Sequence, residues 1–156
     1  MKLCMDLCLA AAFIWIAWTD IRTMTIPDKV LVPLLILAVL ALFAEPEISL
    51  TARIIGIFSA ALPMYIVDLF VDGAFGGGDI RLLAVMGFYL GWKTCLVGTF
   101  MGFFFGGLQA VALLALGRVK FGERARIPFA PALCLGLYAA KLWGSQIIDL
   151  FFGLTW

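Results

Sequence analysis

The chain has 156 residues, of which 65% are hydrophobic and only 13% charged, with a formal net charge of +1. So few charges, and no sustained polar stretch, cannot cover a water-facing surface. A soluble globular domain is excluded and a membrane protein is left.

Six apolar runs follow one another: residues 3–19, 30–44, 54–70, 80–92, 94–116 and 129–154. Sharing 156 residues among six spans leaves about 26 for each span and its connector, so there is no room for an extramembrane domain. No linker, low-complexity segment or internal repeat interrupts them. The expected architecture is an all-α polytopic membrane protein, residues 1–156 forming one bundle of about six transmembrane helices. The first run has the Lys2 and the small residues Ala10 to Ala12 of a signal peptide, but Asp6 interrupts it and the pattern runs on through Trp15 and Trp18. It reads as a retained span.

Basic residues set an orientation. With the N-terminus outside, the inner loops hold Arg22, Lys29, Arg81, Arg118, Lys120, Arg124 and Arg126, against Lys2, Arg53 and Lys93 outside. The basic loop "GRVKFGERAR" would then anchor the cytoplasmic side to anionic lipid.

The chain has four cysteines and no histidine. Cys4, Cys8, Cys95 and Cys134 all fall in apolar runs without a CxxC pair, which describes small buried hydrophobes rather than a zinc site or a disulfide framework. Without histidine there is no Ser-His or Cys-His nucleophile pair and no HExxH metal site. Carboxylates remain, and ionisable groups at membrane depth are functional candidates by default.

Asp79 follows three glycines in "FGGGDIRLLA" and opens the fourth run. Residues 80–92 are too few to cross about 30 Å of hydrocarbon at about 1.5 Å per residue, so the span must borrow the residues before it. Irregular backbone at that depth is tolerated where it lines an enclosed cavity, and glycine lets the chain turn tightly and approach a neighbour closely. The alternative is a plain helix cap by Asp79. Asp20 ends the first run, and two crossings separate it from the start of the fourth, so both aspartates lie on the same membrane face. If they meet, they form a dyad that shares one proton and activates a water as general base and general acid.

At this point the residues resemble a known family. "WTDIRTMTIPDKV", with Asp20 ahead of Pro27, is similar to the first active-site region of the prepilin and preflagellin peptidases. "FGGGDIRLLAVMGFYLG" resembles their Gly-x-Gly-Asp region, and "RIPFAPALCLG" their Ile-Pro-Phe-Gly-Pro stretch. The resemblance implies a membrane aspartic endopeptidase of the GxGD type, set in the cytoplasmic membrane of a prokaryote with its site facing the cytoplasm. It would remove the basic leader from type IV pilin-like precursors. Asp20 and Asp79 match the catalytic positions and Gly76 and Gly78 the motif glycines; Pro27, Pro128 and Pro131 are expected to position substrate or the site. No metal or organic cofactor is expected. The partners are a membrane-inserted prepilin and the bilayer, with no nucleic acid and with room for a homo-oligomer. Gly77, Arg81 and Ala130 depart from the commoner residues of the pattern. The cysteine-rich region that long members carry ahead of the first helix is not seen, so cleavage without N-methylation is expected.

Asp68 and Asp72 stand near the glycines and are candidates for attracting the basic leader. Gly98, Gly102 and Gly106, with Gly87 and Gly91, recur at a spacing that lets transmembrane helices pack closely. Lys141 lies inside the last run with Asp149 two turns on, which allows an internal ion pair, a water-lined pocket or a shorter span. Rival readings are a presenilin-like protease, on the "PAL" at Pro131 to Leu133; a transporter or channel using Asp20, Asp79, Lys141 and Asp149; and an inert assembly protein.

Overall fold

A computed structural model of the chain describes residues 2–71, 73, 75–117 and 127–152, the side chains of 145 and 148–152 excepted. It contains α1 (Lys2–Thr23), α2 (Asp28–Ala44), α3 (Leu50–Ser59), α4 (Ala61–Phe70), α5 (Gly77–Leu90), α6 (Trp92–Ala115) and α7 (Ala130–Phe152). There is no strand among the described residues. The protein is an all-helical polytopic membrane protein. Three helical stretches among the described residues are long and apolar enough to cross a bilayer: Lys2–Thr23, Leu50–Phe70 and Trp92–Ala115. The helices are apolar on both faces. In α2, Val30, Leu34 and Ala38 point into the bundle while Val32, Leu35, Ile36 and Phe43 are exposed, which suits a lipid surround.

Among the described residues, six apolar runs give seven helices because the third is interrupted at Ala60. Pro63 has no N–H, so the Ser59 carbonyl loses its helical donor. Ala60 departs to φ −107°, and the Ser59 hydroxyl turns back to donate to the Gly56 carbonyl at 3.0 Å. The fourth run does borrow the residues before it, since α5 starts at Gly77 and carries Asp79 in its first turn.

Small residues bring backbones together. Gly56 on α3 faces Gly87 on α5 so closely that a Cβ on either would lie 2.0 Å from the other's carbonyl oxygen. Gly98 and Gly102 on α6 receive α7, where a Cβ at Gly136 would stand 2.3 Å from the Gly102 nitrogen. The four-residue glycine spacing is therefore helix packing, as the sequence suggests, with Gly56 and Gly136 as the facing partners. Cys95 and Cys134 are buried as expected; Cys4 and Cys8 are exposed on α1.

Arg53, expected in an outer segment, is completely buried in α3. Its guanidinium donates to the Phe88 and Tyr89 carbonyls at 3.2 and 2.7 Å and to the Ala41 and Glu45 carbonyls at 3.0 and 2.8 Å. Those carbonyls lie at the C-terminal ends of α5 and α2, where helical donors run out and a cation is favoured. One side chain thus closes two helix ends. Lys141, on α7, makes ion pairs with Glu45 at 2.8 Å and Asp6 at 3.1 Å, which selects the internal ion pair among the three readings left open for it; the Asp149 side chain lies outside the described residues.

Candidate active site

Asp20 occupies the last position of the buried stripe of α1, after Leu9, Phe13 and Ile16, so the register that packs the helix also turns this carboxylate inward. It is 6% exposed. Past Thr23 the helix ends at Met24, whose φ of 51° is left-handed and rare for a residue with a side chain. The chain then runs through Ile26 to Pro27, whose extended φ of −72° and ψ of 138° precede the first turn of α2.

This turn is what the glycines accommodate. A Cβ at Gly78 would sit 2.8 Å from Ile26 Cβ and 3.3 Å from its nitrogen, and one at Gly76 would sit 3.0 Å from Asp79 Oδ2. At Gly77 the nearest atom, Arg81 Nη2, is 4.0 Å away. Gly76 has an ordinary φ of −72°, and none of the three is among the positive-φ glycines. The expected close approach is present, while the tight turn needs no glycine-only conformation here.

Asp79 does not cap α5. The cap position is Gly76, which receives the Asp79 backbone N–H at 2.9 Å, and the Asp79 side chain turns inward, 8% exposed, with Oδ1 buried and without a hydrogen-bond partner. Asp20 and Asp79 face one cavity of about 220 Å³, lined also by Met24, Thr25, Ile26, Gly76, Gly77, Gly78 and Arg81.

The third stretch supplies a contact that the sequence did not disclose. The Pro128 carbonyl accepts from Gln109 Nε2 at 3.1 Å, and Phe129 packs over Gly106 and against Phe103 and Phe75, with ring centroids 5.4 and 6.4 Å away. This fixes the start of α7, where the Ala130 N–H donates to Asp20 Oδ2 at 3.0 Å. Pro131 lies in the first helical turn, where a missing N–H costs nothing. The sequence signal here was the resemblance of "RIPFAPALCLG" to a family stretch, with Pro128 and Pro131 expected to position the site, and it says nothing about where the neighbouring N–H points.

Pro27, Pro128 and Pro131 shape backbone beside the site and are not among the cavity's lining residues. Asp68 is not either: its Oδ1 accepts the Phe75 N–H at 3.1 Å and so ties the end of α4 to the glycine segment. Asp72 and the basic loop 118–126 lie outside the described residues.

A sequence profile described as the type IV leader peptidase family matches residues 7–111, which include both aspartates and the glycine segment. The chain belongs to the type IV leader peptidase family. It is 35% identical over 136 residues to the prepilin leader peptidase/N-methyltransferase of Bacillus subtilis, covering 87% of this chain and 54% of that protein. Proteins of the same name in Stutzerimonas stutzeri and Pseudomonas aeruginosa are 30% and 32% identical, over 82% and 78% of this chain and 45% and 43% of theirs. The chain thus spans about half the length of these curated relatives. No solved structure matches it.

Proposed function

We propose that this family member is a membrane aspartic endopeptidase that removes the basic leader from type IV pilin-like precursors. One observation carries the reading: two buried aspartates from separate helices, Asp20 and Asp79, face a single cavity in a leader-peptidase chain. Carboxylates that face each other share a proton readily, and such a pair cleaves an amide without a covalent intermediate.

The surroundings support distinct roles. Asp20 accepts an N–H at the start of α7, where the helix dipole and free donors favour a negative charge, so it acts as the carboxylate that takes a proton from water. Asp79, with Oδ1 unpartnered, carries the shared proton and gives it to the oxygen of the scissile carbonyl as hydroxide attacks the carbon. The gem-diol intermediate then collapses: the C–N bond breaks, the departing amine takes the proton that Asp20 received, and one diol hydroxyl returns its proton to Asp79, which leaves a carboxylic acid and the starting dyad. In this reading the site faces the cytoplasm, the N-terminus of α1 is outside, and the pilin helix stays in the membrane after cleavage. Methyl transfer is the second activity in the relatives' names; cleavage without it is our expectation for this chain, read by offering labelled S-adenosylmethionine in the same assay.

The test is cleavage of a membrane-embedded precursor with a basic leader by the purified chain in liposomes, comparing wild type with Asp20→Asn and Asp79→Asn. Loss of cleavage in each folded single variant supports the dyad. Cleavage that survives either substitution removes that aspartate from the chemistry, and a wild type inactive on several leaders turns the reading toward a non-proteolytic membrane role.

A further inference from the structure

The rim of the cavity holds a charge pair that the dyad does not use. Arg81, two residues after Asp79, lines the cavity, donates from Nε to the Gly77 carbonyl at 3.1 Å, and forms an ion pair through Nη1 with Asp28 Oδ1. Asp28 opens α2 directly after Pro27, so the pair bridges the Ile-Pro turn and the glycine segment. Its side chains are 57% and 71% exposed. An ion pair this open to water is held weakly and exchanges readily.

We propose that Asp28 is a specificity residue: it receives a cationic side chain of the substrate at the cavity rim by taking it in exchange for Arg81. The inference rests on the peptidase reading above. A cationic segment approaching Asp20 and Asp79 from water meets Arg81 first, and like charges at that distance repel. Exchange removes the repulsion, because the incoming cation replaces the guanidinium on the same carboxylate and Arg81 keeps its Gly77 contact. The other described carboxylates at this end have other work: Asp20 and Asp79 face the cavity, and Asp68 holds the Phe75 N–H. Asp28 is therefore the acid placed to read charge at this rim, while Asp68, which the sequence offers with Asp72 for the same task, also braces the loop.

The test uses two membrane-embedded substrates identical except for the leader, one with lysines and one with glutamines in their place, cleaved by the purified chain in liposomes. The readout is the ratio of kcat/KM for the basic over the neutral leader. Asp28→Asn lowers this ratio about threefold, through KM rather than kcat, in the range for an exposed ion pair. Asp28→Lys lowers it further, Asp28→Glu restores it, and Arg81→Gln raises it by removing the competing cation. A ratio unchanged in both Asp28→Lys and Arg81→Gln, or losses equal for both leaders, overturns the inference while leaving the peptidase reading intact. Wild-type protein that cleaves neither substrate overturns both.

Discussion

Where the start of α1, the C-terminal ends of α2 and α5 and the middle of α7 meet, buried charge is matched by opposite charge or by carbonyls. Lys141 holds Glu45 and Asp6 and lies 4.6 Å over the Tyr89 ring, and Arg53 spreads its donors over two helix ends. At the other end of α1 and α5, two buried carboxylates face the same cavity, Asp20 holding the Ala130 N–H and Asp79 with Oδ1 unpartnered. Desolvating a charge is expensive at either end. At the first the charges are ion-paired or bound to carbonyls within the fold, although the buried Tyr89 hydroxyl there has no hydrogen-bond partner; at the second Asp79 faces a cavity with one oxygen unpartnered, the arrangement that the proposed peptidase reading assigns to a water and a substrate. Burial of an ionisable group alone does not separate the two cases. Whether its partners are already present does.

Substitutions can break this contrast, and the largest effect belongs to the open end. Asp20→Asn and Asp79→Asn are each expected to lower kcat by ~10²–10⁴-fold, the range for loss of one acid–base group, with the thermal midpoint unchanged or raised because an uncompensated carboxylate is removed. A variant that loses activity only in proportion to its folded fraction would place that aspartate with the structural charges. The matched end should answer in the opposite sense. Arg53→Met leaves the ends of α2 and α5 uncapped and is expected to destabilise by about 3–5 kcal/mol, read by thermal unfolding in detergent, while the kcat of the folded fraction holds. Arg53→Lys should rescue little, since an ammonium cannot fork to two helix ends.

Lys141→Met comes next. It strands Glu45 and Asp6 beside each other and should destabilise by about 2–4 kcal/mol, with Lys141→Arg recovering part of it. Stability equal to wild type would show that the cluster is solvated and not held as described. The glycines sharpen the comparison on a finer scale. Gly78→Ala must push Ile26 away from the cavity wall and is expected to cost about tenfold in kcat/KM, whereas Gly77→Ala, with nothing closer than 4.0 Å, should stay within about twofold. Equal effects at the two positions would argue against a steric role for the Ile26 contact.

The smallest effect belongs to the surface pair of Lys2 and Glu47. The Lys2 ammonium, 2.6 Å away, holds the Glu47 carboxyl below its ordinary range. A depressed carboxylate contributes stability above its unfolded value and loses it as pH falls through the folded one, so this contribution disappears on acidification. Glu47→Gln should remove that part of the acid sensitivity and little else, because both partners face water.

Much of this was legible before any coordinates. The apolar runs gave the spans, since a chain with so few charges has nowhere but lipid to go, and the short fourth run required α5 to begin among the glycines. The distinction between Gly76 or Gly78 and Gly77 was not legible, because three identical residues in a row differ only in what lies opposite each. Arg53 read as one more outer-loop cation, since composition does not report that two helix ends converge on it. Asp68 read as an acid near the site, and its bond to the Phe75 N–H depends on how the chain folds back after α4. The third run read as one continuous span, because a proline disappears when only hydropathy is counted, and the structure shows that Pro63 breaks it at Ala60.

By itself the sequence determined that the chain is a membrane bundle, that carboxylates are the candidates for chemistry in it, and that Asp20 and Asp79 belong at the same end of the bundle. Those conclusions depend on composition, on the rise of a helix and on the parity of crossings, all of which are properties of the chain read in order. The tertiary structure decided which buried charges are satisfied and which are left facing a cavity, that the Ala130 N–H belongs to Asp20, and that Asp28 and Arg81 meet at the rim. Each of these is a pairing between residues distant in sequence, fixed by how helix faces pack, and no local pattern encodes the identity of the partner.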